Sequence, residues 1–226
     1  MWYLKRVILF SLMICLVSFI QLRKKKKVLF FGDSITAAGI KPGGYIMKID
    51  SMLKLQGLSE QYELIGAGVS ANKVTDLYLR LEEDVLAKSP DIVVIYIGVN
   101  DVWHKRTSGT GTDADKFERF YNAILKKLAD KNIKAILCTP AAIGERTDMT
   151  NDFDGDLNKY CAIIRGIATK NNLPLVDLRK ALLDYNLKNN PDNKEAGILT
   201  TDKVHLNAKG NEVVASEMLK TIKNYQ

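Results

Sequence analysis

What the 226 residues lack narrows the reading first. The three cysteines, Cys15, Cys138 and Cys161, are widely spaced and form no Cys-x-x-Cys pair. That excludes a disulfide framework and leaves Cys138, inside an apolar run, as a small core residue. Only two histidines are present, His104 and His205, and nothing has zinc-ligand spacing. No apolar stretch reaches the ~20 residues that span a bilayer comfortably. There is no internal repeat, and no low-complexity tract beyond one lysine run.

A lopsided charge is also missing from most of the chain. The net charge is +7, but seven of the 33 cations (Lys5, Arg6, Arg23 and Lys24 to Lys27) lie in residues 1–27, which hold no anion. The remainder sets 26 cations against 26 anions. A neutral body without a basic patch and interleaved aromatics argues against nucleic acid as a partner.

Residues 1–27 read as a targeting or anchoring segment. Lys5-Arg6 precede an apolar run from Val7 to Ile20, interrupted by Ser11 and Ser18. Its length suits a signal-peptide core. No Ala-x-Ala-like cleavage site follows; Arg23 to Lys27 follow instead, a cluster that tends to stay cytoplasmic. Cys15 follows Met13-Ile14 rather than small residues, which disfavours a lipoprotein anchor. The expectation is export, periplasmic or extracellular, or membrane attachment through residues 1–27.

Residues 28–226 suit one α/β domain in length, and 46% apolar content supplies a full core. Val28-Leu29-Phe30-Phe31 is a short apolar run stopped by Gly32-Asp33-Ser34, the pattern of a strand buried on both faces. A loop is predicted over 37–44, a helix over 45–55, and a strand over 62–65 closed by Gly66-Ala67-Gly68. A helix is predicted over 74–86, broken by Ser89-Pro90, then a strand over 92–97 ending at Gly98. A polar loop over 105–112 leads to a helix over 113–130. Strand four covers 133–138 and stops at Pro140; a helix over 157–169 and strand five over 173–176 follow. A short helix is predicted over 178–187, and Asn207 caps a last helix reaching about 224. Five strands alternating with helices imply a parallel sheet covered on both faces by right-handed crossovers.

Chemistry gathers at the carboxyl ends of the strands, where open α/β sheets bind ligands. Strand one presents Asp33 and Ser34, strand two leads to Ser70-Ala71-Asn72, and strand three presents Asn100 and Asp101. Asp202-Lys203-Val204-His205 immediately precedes the last helix. A serine nucleophile needs a base, and the base needs an acceptor on its other ring nitrogen. Asp202 stands three residues before His205, a spacing that one tight turn brings to the same side. Asp101 likewise stands three before His104. Asp152, Asp154 and Asp156 invite a calcium reading, but Gly155 falls between the carboxylates, so helix-start acids explain them better.

Gly32-Asp33-Ser34-Ile35, Gly98-x-Asn100-Asp101 and Asp202-x-x-His205 together resemble, in order, three of the four sequence blocks of the SGNH (GDSL-type) hydrolases. The resemblance covers essentially all of residues 28–226. It implies a flavodoxin-like three-layer α/β/α domain with a five-stranded parallel sheet in the order 2-1-3-4-5. It further implies Ser34 as nucleophile, His205 as base and Asp202 as the residue orienting it. The oxyanion site would combine the Ser34 N–H, the Asn100 side-chain amide and a backbone N–H from the second block. There the chain departs from the family: Ala71 stands where the family has glycine, with Gly68 as the alternative donor. If that position is left-handed, alanine costs about 1–2 kcal/mol relative to glycine.

The resulting expectation is a serine esterase hydrolysing carboxylic esters through an acyl-serine, with no cofactor and no metal. Asp33 and Trp103 are placed at the substrate, although Asp33 as a turn cap and Trp103 as a packed residue remain open. The substrate is a small-molecule ester: an acylated carbohydrate, a lipid such as a lysophospholipid, or a thioester. An acyltransferase on the same triad and a catalytically silent binding domain are the alternatives. A flavodoxin would require a phosphate-binding loop after strand one, where Gly32-Asp33-Ser34 stands.

Overall fold

The computed structural model describes residues 24–225. The apolar run Val7 to Ile20 therefore lies outside the described residues. Among the described residues, no helix is long and apolar enough to cross a membrane.

Five parallel strands form the sheet: β1 (Lys26–Gly32), β2 (Tyr62–Gly68), β3 (Ile92–Tyr96), β4 (Lys134–Cys138) and β5 (Leu175–Val176). Their order is β2-β1-β3-β4-β5, as the family resemblance implies. Eight α-helices accompany them among the described residues: α1 (Ser34–Gly39), α2 (Tyr45–Leu55), α3 (Val74–Asp84) and α4 (Val99–Thr107), then α5 (Ala114–Asp130), α6 (Asp154–Lys170), α7 (Leu178–Asn189) and α8 (Ala208–Asn224). β1 begins at Lys26, which pairs with Tyr62, so the sheet takes in two residues of the lysine run.

Past the lysines that begin β1 and β4, the central strands are apolar because helices cover both faces. Val28 to Phe31, Ile92 to Ile95 and Ile136 to Cys138 are all fully buried. Each large apolar side chain so buried stabilises the fold by roughly 1.5–3 kcal/mol. The reversal of strand order falls between β1 and its neighbours β2 and β3. Their carboxyl ends, the Gly32 and Gly68 pair and Tyr96, meet at that point, the edge where open α/β sheets bind ligands.

Two segments read as loops from the sequence contain helix. Residues 34–39 form α1, and α4 extends through Thr107. The first is only six residues long and starts from a cap instead of an apolar face. Asp33 is its N-cap and accepts the Ile35 N–H. The second is polar on the outside, with His104, Lys105 and Arg106 in its last turn, where cations suit the helix dipole. β5 is shorter than expected, two residues at the sheet edge. α6 begins earlier than expected, at Asp154, whose buried carboxylate meets the Arg179 guanidinium of α7 at 2.6 Å.

Candidate active site

Ser34 occupies the first position of α1, directly after β1. The turn there is fixed from inside. Asp33 is 2% exposed, and its carboxylate faces the Ile35 N–H at 3.0 Å rather than open solvent. Burial pushes its pKa up to about 6, against the Ile35 hydrogen bond and the nearby His205. The chain leaving β1 thus carries Ser34 outward on the amino end of a helix, where backbone N–H groups are unpaired.

Ser34 Oγ lies 2.9 Å from His205 Nε2. His205 Nδ1 lies 2.7 Å from Asp202 Oδ2. With the Nδ1–H donated to that carboxylate, Nε2 is left to accept the Ser34 O–H. The other Asp202 oxygen, Oδ1, accepts the backbone N–H groups of Val204 (3.1 Å) and His205 (2.7 Å). Burial raises the Asp202 pKa, but these three hydrogen bonds outweigh it and hold the carboxyl below its usual range. The tight turn closes with the Thr201 N–H donating to the His205 carbonyl at 2.8 Å. Lys203 takes the left-handed conformation, φ +79°. Asn207 then caps α8 through the Lys209 and Gly210 N–H groups. The side chains of His205 and Asp202 are 38% and 52% exposed.

The third contributor enters from β3. Gly98 has φ +127°, a conformation that L side chains rarely adopt, and it turns the chain directly into α4. Asn100, in the first turn of α4 and 4% exposed, donates one amide hydrogen to the Asn72 carbonyl at 3.1 Å. Its neighbour Asp101 accepts the Val74 N–H at the start of α3 through both carboxylate oxygens, at 3.1 and 3.3 Å. Two consecutive residues of α4 therefore pin the segment that follows β2.

That segment contains Ala71, at φ +64°. The left-handed conformation considered from the sequence is the one adopted. The Ala71 N–H has no protein acceptor among the described residues. Gly68, the alternative donor, ends β2 against α1, where a Cβ would sit 2.1 Å from the Ala37 backbone nitrogen.

Trp103 is half-buried one helical turn beyond Asn100, with its ring 5.9 Å from that of His104. The His104 pKa is lowered by burial and by the Lys73 cation.

Sequence reasoning missed Arg80. Its guanidinium donates to the Asn72 side chain (2.6 Å), the Gly32 carbonyl (2.7 Å) and the Ala67 carbonyl (3.0 Å). It also pairs with Asp84 and lies over the Phe31 ring. It ties the carboxyl ends of β1 and β2 to the Ala71 segment. The one available signal was its place on α3 beside the buried stripe Val74, Leu77 and Leu81.

The chain is thus an α/β protein whose five-stranded parallel sheet has a hydroxyl, an imidazole and a carboxylate in hydrogen-bonded line at its carboxyl edge. The family model of the GDSL-like lipase/acylhydrolase family matches residues 30–213. The chain belongs to this SGNH family and is a carboxylic ester hydrolase.

Among its relatives, an acetylxylan esterase of Geobacillus stearothermophilus is 30% identical over 214 residues, covering 87% of this chain and 94% of the relative. The crystal structure of AlAXEase, an acetyl xylan esterase, is 61% identical with a TM-score of 0.86, covering 87% of this chain and 99% of that one. A catalytic mutant of Axe2, an acetylxylan esterase from Geobacillus stearothermophilus, has a serine replaced by alanine. It is 25% identical with a TM-score of 0.76 over 88% of this chain and 96% of that one. Further catalytic mutants of Axe2 replace an aspartate and a histidine.

Proposed function

We propose that the chain removes acetyl groups from an acetylated carbohydrate of the xylan type through an acetyl-Ser34 intermediate. The observation that carries this reading is the relay from Ser34 Oγ to His205 Nε2 at 2.9 Å and from His205 Nδ1 to Asp202 at 2.7 Å. The Axe2 catalytic mutants, at a serine, an aspartate and a histidine, support the same three residue types. The two acetylxylan esterases similar to this chain support the substrate.

In the first half-reaction, Ser34 Oγ attacks the acetyl carbonyl carbon while His205 Nε2 takes its proton. The carbonyl oxygen becomes an oxyanion, met by the N–H groups of Ser34 and Ala71 and by the Asn100 amide hydrogen that Asn72 does not use. Each preorganised donor lowers the barrier by about 2.7–4 kcal/mol. The tetrahedral intermediate collapses, the bond to the sugar oxygen breaks, and His205 protonates that oxygen. Water, deprotonated by His205, then attacks the acetyl-Ser34 carbonyl; the bond to Ser34 Oγ breaks, His205 returns the proton to Oγ, and acetate leaves. Asp202 keeps the imidazole in the tautomer that accepts at Nε2.

The half-exposed His205 and Asp202 support a substrate whose bulk stays outside the protein. Trp103, on the same side of α4 as Asn100, offers a ring face to a sugar; Asp33 holds the serine turn from within. The basic and apolar segment at residues 1–27 supports export of the enzyme, which sequencing the amino terminus of the mature protein would test.

The test is a substrate series given to the full chain. The expected result is release of acetate from acetylated xylo-oligosaccharide, and among p-nitrophenyl esters the fastest turnover on acetate with a steep decline toward palmitate. A profile peaking at long acyl chains, without release of acetate from the carbohydrate, would replace it with a lipase.

A further inference from the structure

We infer that Glu145 is a positioning residue for the Asp202–His205 pair, an inference that rests on the serine-relay reading above. Glu145 lies in the connection between β4 and α6 and is 1% exposed. Among the described residues no cation pairs with its carboxylate. Instead it accepts three consecutive backbone N–H groups, from Ile198 (2.8 Å), Leu199 (2.6 Å) and Thr200 (2.6 Å). A buried carboxylate is costly unless its oxygens are filled, and here backbone dipoles do the filling. A carboxylate is also suited to the task as an acceptor-only group: a glutamine would aim an N–H at one of the three donors.

The segment it grips ends two residues before Asp202. The grip continues on either side of the pair. The Gly144 N–H donates to the Lys203 carbonyl at 2.9 Å, and the Glu145 N–H donates to the Glu195 carbonyl at 3.0 Å. Asn190 in turn donates to the Glu145 carbonyl at 3.0 Å. Thr200 bridges Leu206 across the turn. This anchoring is needed because the Asp202 and His205 side chains are half-exposed, so packing does not hold them. Their place relative to Ser34 is inherited from the backbone of the 195–206 segment; Asn207 reaches two of its carbonyls at 3.4 and 3.5 Å, and Glu145 holds three of its N–H groups from inside at 2.6 to 2.8 Å. Displacements of about 1 Å in such a relay cost rate far more than affinity.

The test uses E145Q in the full chain, assayed on p-nitrophenyl acetate beside the unsubstituted protein and S34A. The expected result is a kcat about 10- to 100-fold lower, with KM changed by less than about twofold. The low-field proton resonance of the His205–Asp202 hydrogen bond should broaden or vanish, while the circular dichroism of the fold stays intact. A residue that merely supports the fold would lower the melting temperature yet leave kcat per folded molecule and the resonance unchanged; that result overturns the inference. Should E145Q fail to fold, E145D keeps the charge but falls a methylene short of the three N–H groups, and the same two readouts decide. Activity surviving in S34A would instead refute the serine relay itself. An inert S34A beside a fully active E145Q would refute only the role of Glu145.

Discussion

Ala71 shows how a single residue records a constraint that its chemical type conceals. At φ +64° it occupies the left-handed region, where an L side chain costs roughly 1–2 kcal/mol. Part of that cost is offset because alanine restricts the unfolded chain more than glycine does. A71G is therefore expected to raise the urea midpoint, by a gain of about 0.5–1 kcal/mol at unchanged m-value. A lower midpoint would mean that the strain is relieved by contacts of the Ala71 methyl group. At this scale the sequence was informative where chemistry demands a rare residue at a strand end. Ser34, Asn100 and the Asp202–His205 turn come from three separate segments, and His205 meets Ser34 across 171 residues of chain. It was silent on Arg80 and Glu145, because their partners are backbone atoms. The three amides held by Glu145 lie 53 to 55 residues further along the chain, and no spacing pattern announces such a contact. The faint sign was an acid closing the apolar run Ala141-Ala142-Ile143-Gly144.

Between elements, the decisive contact is Asp101 of α4 against the first N–H of α3. Burial pushes the Asp101 pKa from 3.8 up to about 7, against hydrogen bonds from Thr112 and Val74. A carboxyl whose pKa is higher folded than unfolded favours the fold while protonated. Its contribution is fully present below about pH 4 and is lost as pH rises through about 7. D101N keeps an oxygen for the Val74 N–H and removes the titration. It should be more stable than the unsubstituted protein at pH 8, by roughly 1–4 kcal/mol. The advantage should shrink toward zero near pH 4, as read from urea melts at both ends. A pH-independent difference would show that Asp101 does not titrate in this window. The strands and long helices were legible because apolar residues recur at the right period. α1 and α4 were not, since a short helix set by a cap and a helix ending in His104-Lys105-Arg106 both resemble loop composition. The parallel sheet itself followed from alternation, whereas its order followed from the family resemblance.

For the whole molecule, β1 and β3 deliver Ser34 and Asn100 to one edge of the sheet, the turn before α8 brings His205 to Ser34 there, and the opposite edge receives the lysine run that begins β1. The body is formally neutral, with the cationic excess confined to residues 1–27. A neutral body with an open relay suits an uncharged, bulky substrate that docks at the surface and leaves freely. The proposed reaction requires a covalent acetyl group at one hydroxyl. The direct measurement mixes the full chain with p-nitrophenyl acetate, quenches in acid within the first turnovers, and maps the peptides by mass spectrometry. Acetyl is expected on the peptide containing Ser34, transient in the unsubstituted protein and absent from S34A, which should not turn over. Turnover with no acetyl on that peptide, or acetyl accumulating on a different residue, would contradict it.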